Sequence, residues 1–388
     1  MAEKTLNEHL FGPGPKRILA LDGGGIRGVL TLGYLKSMES LLRERAGGDP
    51  NFRLCDYFDL IAGTSTGSII AAGLALGFTV EKLQGIYKSL ADDVFTTSFF
   101  RRGMFIPKFS TGPLLKALEK HYGDVTLGSD QLRTGLLVIT KRLDTGSTWP
   151  LHNNPKGKYF NPISGSTTIP NRDYLLRDIV RASTAAPHYF EPEKIQIASD
   201  KYGAFVDGGI SPHNNPSLQT LLIATTQGYG FNWSFGEDQL FLVSAGTGHQ
   251  NIRIDPQKVL DMAALELAGR SLLSIMADTT WLEQAMLQWI SNSPTSWKID
   301  TEMGNLQEDM LGNGQALISY LRYDVSFDTK WMKDNLDMVM SKKELSSLEE
   351  MDNSENVERL SQVGTKAASV QIKPAHFPDA FDLGMNTK

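Results

Sequence analysis

At 388 residues, with 41% hydrophobic and 21% charged residues and a formal net charge of −6, the chain has ordinary globular composition and ample material for a core. The absence of a long basic run argues against binding a nucleic-acid polymer as the main activity. The single cysteine, Cys55 in FRLCDYF, excludes an internal disulfide framework and a cysteine-based zinc site, and reads as a small buried hydrophobe.

Residues 1–15 read as a tail ending in a Gly/Pro linker, without a signal-peptide pattern. No run of 18 or more apolar residues suggests a spanning helix, so the expected location is cytoplasmic. RILALD (17–22) is the near-continuous apolar run of a buried parallel strand. A helix follows over 29–46, with Leu30, Tyr34, Met38, Leu41 and Leu42 on one face and Gly47-Gly48 at its end. DLIAG (59–63) is a second strand, running through TSTG into an apolar helix at 68–77. Two strand–glycine loop–helix units within the first 80 residues predict an α/β fold with a mostly parallel sheet flanked by helices.

Further along, helices are expected over 79–95, 111–123, 174–187 and 215–230, and strands over 134–143, 202–209 and 238–248. TTSFFRRGMFIPKFS (96–110) is either a lid or an ordinary packed loop, and 153–171 is loop. The remainder is helix-rich: 256–291, a strand at 317–327, then helices at 341–349 and 353–368. The expected organisation is one domain over 16–370, of which 255–370 is the helix-rich part, and a C-terminal tail over 371–388.

Gly23-x-Gly25-x-x-Gly28 has the spacing of a dinucleotide-binding loop. That reading requires an acidic residue at the end of the second strand, for a ribose. The nearest acid, Asp49, sits in a turn before Pro50, and the second strand ends in GTSTG instead. GTSTG (63–67) fits G-x-S-x-G and lies between a strand and a helix, where a serine occupies a sharp turn with its hydroxyl exposed. Ser65 is therefore a candidate nucleophile, with Gly63 and Gly67 relieving crowding; the alternative is a helix-capping serine. Gly23, Gly24 and Gly25 can aim amides at one point, as an oxyanion hole requires, and the Thr66 amide can add a donor. Arg27 either adds charge near the site or pins the loop through a salt bridge. For the base there are two choices. Asp207 could orient His213, His249 or His376 in a triad, with His188 a further histidine near a predicted loop. Asp207 could also act alone, since it ends an apolar strand and opens the Gly208-Gly209 turn; its alternative role is a turn cap.

Taken in order, DGGGIRG (22–28), GTSTG (63–67) and DGG (207–209) resemble the motifs of patatin-like phospholipases. ASTAAPHYFEP (182–192), NNP (214–216), LVSAGTG (242–248), SYLRYDV (319–325) and NVERLSQVGTKAA (356–368) are similar to other segments of that family, so the likeness runs over roughly residues 15–370. The resemblance implies a modified α/β-hydrolase fold with Ser65 as nucleophile and Asp207 as general base. It implies an oxyanion hole from Gly23, Gly24 and Gly25, a loop motif completed by Arg27 and Gly28, and no cofactor or metal. The implied reaction is hydrolysis of phospholipid acyl esters through an acyl-enzyme. A narrower similarity is to bacterial patatin-like effectors of cyclic-nucleotide anti-phage signalling, which implies a cyclic-dinucleotide activator and peripheral contact with the inner face of the membrane. Candidate lipid contacts are FFRRGMF (99–105) and the apolar helices in 256–291, where Trp281 and Trp289 suit an interface. The alternative for those helices is packing on the core or in a homo-oligomer. A nucleotide-binding sensor or scaffold without chemistry, and a Ser-His-Asp esterase, remain the competing functions.

Overall fold

Strands covered by helices on both faces need continuous apolar runs, and five such runs lie side by side in this protein. The structure is a computed structural model and describes residues 4–94, 111–187, 189–249, 254–311 and 314–384. The stretch 96–110 and His188 lie outside the described residues, and so does the choice between lid and loop. The strands are β1 (Lys16–Leu21), β2 (Leu60–Thr64), β3 (Gly135–Arg142), β4 (Ser147–His152), β5 (Glu193–Ala198), β6 (Lys201–Asp207), β7 (Leu240–Ala245), β8 (Ser291–Asn292) and β9 (Ile318–Tyr323). They form one sheet in the order β5-β6-β3-β2-β1-β7-β9-β8, with β4 paired to β3 outside that path. From β3 to β8 the pairings along that path are parallel; β4 and β6 join β3, and β5 joins β6, antiparallel. The fold is thus α/β with a mostly parallel sheet.

The helices are α1 (Leu6–Phe11), α2 (Gly28–Arg45), α3 (Leu54–Tyr57), α4 (Thr66–Ala75), α5 (Val80–Val94), α6 (Thr111–Tyr122), α7 (Leu176–Ser183), α8 (Ser217–Thr225), α9 (Pro256–Leu260), α10 (Ala264–Trp289), α11 (Thr329–Leu336), α12 (Lys342–Leu348) and α13 (Val357–Gln371). Strand alternation divides the core in two. Leu19, Leu21, Ile61, Val138, Phe241 and Val243 face one layer with residues of α2, α4 and α13. Ile18, Ala20, Leu60, Ala62, Leu137 and Leu242 face the other with residues of α8 and α10.

Described residues in both predicted tails pack against the rest of the protein. Residues 6–11 form α1, opened by a reciprocal Thr5–Glu8 cap. Its buried His9 bonds Asp59 at 2.9 Å, and Trp233 donates its ring N–H to the Leu10 carbonyl at 2.8 Å. At the other end Phe377 and Phe381 are buried against Phe241, and Arg17 donates to the Phe381 carbonyl at 2.8 Å. These segments are too short to show a period, so isolated aromatic and capping residues hold them. β4, β5 and α11 also escape the sequence reading, because the strands are half-exposed and mixed in polarity.

One feature of the register positions the site. β4 pairs with β3 over residues 137–142, so it occupies one edge of β3. β2 pairs with residues 135–139 and β6 with residues 140–142, so both must lie on the other edge. Thr64 is opposite Ile139 and Asp207 is opposite Thr140. β2 and β6 therefore run toward each other along a shared edge and meet C-terminus to C-terminus.

Candidate active site

Ser65 sits where β2 passes into α4, with φ 53° and ψ −128°. A non-glycine residue in that region is strained by about 1–3 kcal/mol, and the neighbours must hold it there. Three contacts do so. The Ser65 amide donates to Ser183 Oγ at 2.9 Å, and Ser183 Oγ in turn donates to the Ile139 carbonyl at 2.6 Å. The Ser68 hydroxyl donates to the Ser65 carbonyl at 2.5 Å. The flanking glycines allow the crowding: a Cβ on Gly67 would stand 2.3 Å from the Leu21 carbonyl oxygen, and one on Gly63 would stand 2.3 Å from that of Gly67.

The Ser65 hydroxyl donates to Asp207 Oδ2 at 2.5 Å. The other oxygen, Oδ1, accepts the Gly209 amide at 2.7 Å. Burial pushes the Asp207 carboxyl up to about 6, against the Ser65 and Gly209 hydrogen bonds and the positive charge of Arg181. At neutral pH it is ionised and able to take a proton. Gly208 lets this turn lie on β3, since a Cβ there would stand 2.3 Å from the Ile139 carbonyl oxygen.

The glycine loop after β1 lies against Ser65, but its three amides are not equivalent. The Gly23 amide donates to the Asn214 carbonyl at 3.1 Å, so, contrary to the expectation from the glycine pattern, it is committed to structure and not free for an oxyanion. The Gly24 amide donates to Thr66 Oγ1 at 3.2 Å. Among the described residues, the Gly25 and Thr66 amides have no such partner, and both residues line the cleft. Arg27, just before Gly28 opens α2, is buried, lines the cleft and reaches the Gly24 carbonyl at 3.4 Å.

Three of the candidate histidines are engaged elsewhere. His213 Nδ1 bonds Glu283 at 2.9 Å, His249 Nδ1 faces Asp324 Oδ2 at 3.3 Å, and His376 Nδ1 bonds the Tyr323 hydroxyl at 3.0 Å. None of these three reaches Ser65 as a triad histidine would. Several supporting residues escape the sequence reading. Arg322 of β9 grips Asp22, the residue before the glycines, through two contacts of 2.9 and 2.7 Å, and also binds Asp324 at 2.8 Å. The Thr247 hydroxyl and the Asn214 amide both donate to the Gly23 carbonyl, at 3.0 and 3.3 Å. Their sequence signals are a place near predicted strand ends and membership of the segments NNP, LVSAGTG and SYLRYDV, none of which shows the contacts they make.

The dyad opens into a cleft of about 700 Å³, whose walls include Ile69, Tyr87, Leu90 and Leu114. Such apolar lining suits an acyl chain. Met276, Thr280 and Trp281 of α10 also line the cleft. This helix carries polar as well as apolar residues inward, with Leu287 in the core. Glu283, Gln284 and Gln288 are buried, whereas Ile275 and Leu282 are 57% and 60% exposed. No described helix is long and apolar enough to cross a membrane. Among the described residues no group of three or more His, Cys, Asp or Glu is placed to hold a metal ion.

The family model for patatin-like phospholipases matches residues 19–221 of this chain, which takes in the glycine loop, Ser65 and Asp207. Among curated proteins the chain is similar to a cGAMP-activated phospholipase from Vibrio cholerae, at 33% identity over 52% of this chain and 56% of that protein. An Escherichia coli cGAMP-activated phospholipase is 29% identical over 62% of this chain and 64% of its own length. An Escherichia coli cUMP-AMP-activated phospholipase is 33% identical over 54% of this chain and 59% of its own. The chain thus spans less than two thirds of the length of these relatives.

Proposed function

The chain belongs to the patatin-like phospholipase family, and on that premise we propose that it hydrolyses acyl esters of membrane phospholipids through a Ser65–Asp207 dyad. The observation that carries this reading is the 2.5 Å hydrogen bond from the Ser65 hydroxyl to a buried carboxylate. Ser65 Oγ attacks the acyl carbonyl while Asp207 takes its proton. The carbonyl oxygen becomes an oxyanion and is met by the Gly25 and Thr66 amides, with the Gly24 amide joining if it releases the Thr66 hydroxyl. On collapse Asp207 returns the proton to the departing lysophospholipid alcohol, leaving an acyl-serine. Asp207 then takes a proton from water as its oxygen attacks the acyl carbon, and on collapse the C–Oγ bond breaks and Asp207 returns the proton to Ser65 Oγ, releasing the fatty acid.

Three relatives are named for activation by cyclic nucleotides, and we extend that property to this chain: a cyclic dinucleotide raises hydrolysis, in the setting of anti-phage defence. The exposed apolar side of α10 supports peripheral contact with the inner face of the membrane. The test is covalent labelling with a fluorophosphonate, followed by mass spectrometry of lipid products with and without cyclic nucleotides. An adduct on Ser65, with lysophospholipid and fatty acid as products, is expected. No adduct under any condition would leave a sensor without chemistry as the better reading.

A further inference from the structure

Beside the catalytic cleft lies a second one, of about 670 Å³, within the usual range of small-molecule sites (roughly 300–1,000 Å³). Its residues run from 249 to 376, wholly beyond the region that the family model matches. Its chemistry differs from that of the first. Trp297 and Trp331 stack with ring centroids 5.6 Å apart and planes inclined by 14°. The His249 ring meets Trp297 edge-on at 4.9 Å and Trp281 at 5.3 Å. Lys298, Lys373 and His376 supply cationic or protonatable groups, and no carboxylate is among the described lining residues. In a chain of net charge −6, such a concentration of nitrogen donors marks a place for an anion. Tryptophan faces favour a planar aromatic group, to which indole stacking is insensitive in detail.

We infer that this second cleft binds a nucleotide, its base on the tryptophan pair and its phosphate near Lys298 and Lys373. The inference rests on the proposal that a nucleotide activates the chain, and gives that activator a place. His249, Trp281, Trp297 and Arg322 line both clefts and form the wall between them. Behind the wall is Asp324. Its Oδ2 faces His249 Nδ1 at 3.3 Å, its Oδ1 accepts the Gly248 amide at 2.8 Å, and its carbonyl accepts the Gln371 side chain at 3.0 Å. One residue before Gly248, Thr247 donates to the Gly23 carbonyl at 3.0 Å. A ligand that draws on His249 or Gln371 therefore pulls on the strand end that holds the oxyanion loop. It shifts activity only insofar as it binds the two arrangements of that wall unequally.

The experiment titrates the purified chain with cGAMP, cUMP-AMP, AMP and inorganic phosphate, reading heat and tryptophan fluorescence, in parallel with hydrolysis of a short-chain ester. A nucleotide should bind the wild type and change hydrolysis over the same concentrations. Trp331→Ala and Lys373→Glu should each weaken binding roughly tenfold with basal hydrolysis unchanged. Lys373 is exposed, so its variant stays informative if Trp331→Ala fails to fold. Binding undiminished in Lys373→Glu, no nucleotide binding at millimolar concentration, or phosphate binding as tightly as any nucleotide would each overturn the assignment. Fluorophosphonate labelling of Ser65 keeps the two readings apart. Labelling without nucleotide binding removes only the cleft; nucleotide binding without labelling removes only the hydrolase.

Discussion

Asp207→Asn should make the protein inactive and more stable at once. Burial raises the Asp207 carboxyl from 3.8 to about 6. At about 1.36 kcal/mol per pH unit, the fold disfavours the ionised form by about 3 kcal/mol. Because the folded value lies above the unfolded one, the penalty is absent below about pH 4, grows between about pH 4 and 6, and is complete above. Asparagine has the same shape and never ionises. It keeps an oxygen for the Gly209 amide and turns its own amide toward Ser65 Oγ, so the contacts survive with one donor reversed. At about pH 7.5 the variant should gain up to about 3 kcal/mol in urea denaturation, and the gain should vanish toward about pH 4. Hydrolysis of a short-chain ester should fall by about 10²–10⁴, the usual contribution of a general base. A variant less stable than wild type at neutral pH, or a gain that does not depend on pH, would refute the account of Asp207 as a carboxylate held against its burial.

The same carboxylate sets the acid limb of the rate profile: kcat/KM should fall about tenfold per pH unit below about 6, and a profile flat to about pH 4.5 would contradict this. Gly67→Ala places a Cβ 2.3 Å from the Leu21 carbonyl oxygen and 2.7 Å from that of Asp22, both backbone atoms. It should cost about 1–3 kcal/mol in thermal denaturation and slow fluorophosphonate labelling of Ser65; a variant that keeps both properties would show that the elbow has room. Ser183→Ala leaves the buried Ser65 amide without its acceptor. We expect a loss of about 1–3 kcal/mol in stability and a fall in kcat with little change in KM; an equal rise in KM would point to the cleft rather than the elbow.

What could be read from the sequence was what a short window contains. The strands β1, β2 and β7 are legible because burial on both faces demands an unbroken apolar run. Ser65 and Asp207 are legible as candidates because each stands between an apolar run and glycines. Their contact is not, since it depends on β2 and β6 sharing an edge of β3. Nor can a glycine pattern show which amides are occupied: Gly23 and Gly25 look alike until Asn214 is brought to one of them. The orientation of α10 was hidden for a related reason. Its apolar residues suggest a core face, yet Glu283 turns inward to His213, and the Gln284 side chain accepts the Tyr320 hydroxyl at 3.0 Å.

The head-on meeting of β2 and β6 also orders events during synthesis. The ribosome delivers the glycine loop and Ser65 early, whereas Asp207 arrives 142 residues later and works only once β6 lies along β3 in one alignment. Slipping that alignment by one residue turns the carboxylate to the opposite face of the sheet. A nascent, truncated or mispaired chain therefore carries a nucleophile with no base beside it. For the proposed attack on a bilayer, this keeps unfinished copies harmless whether or not the proposed activating ligand is present.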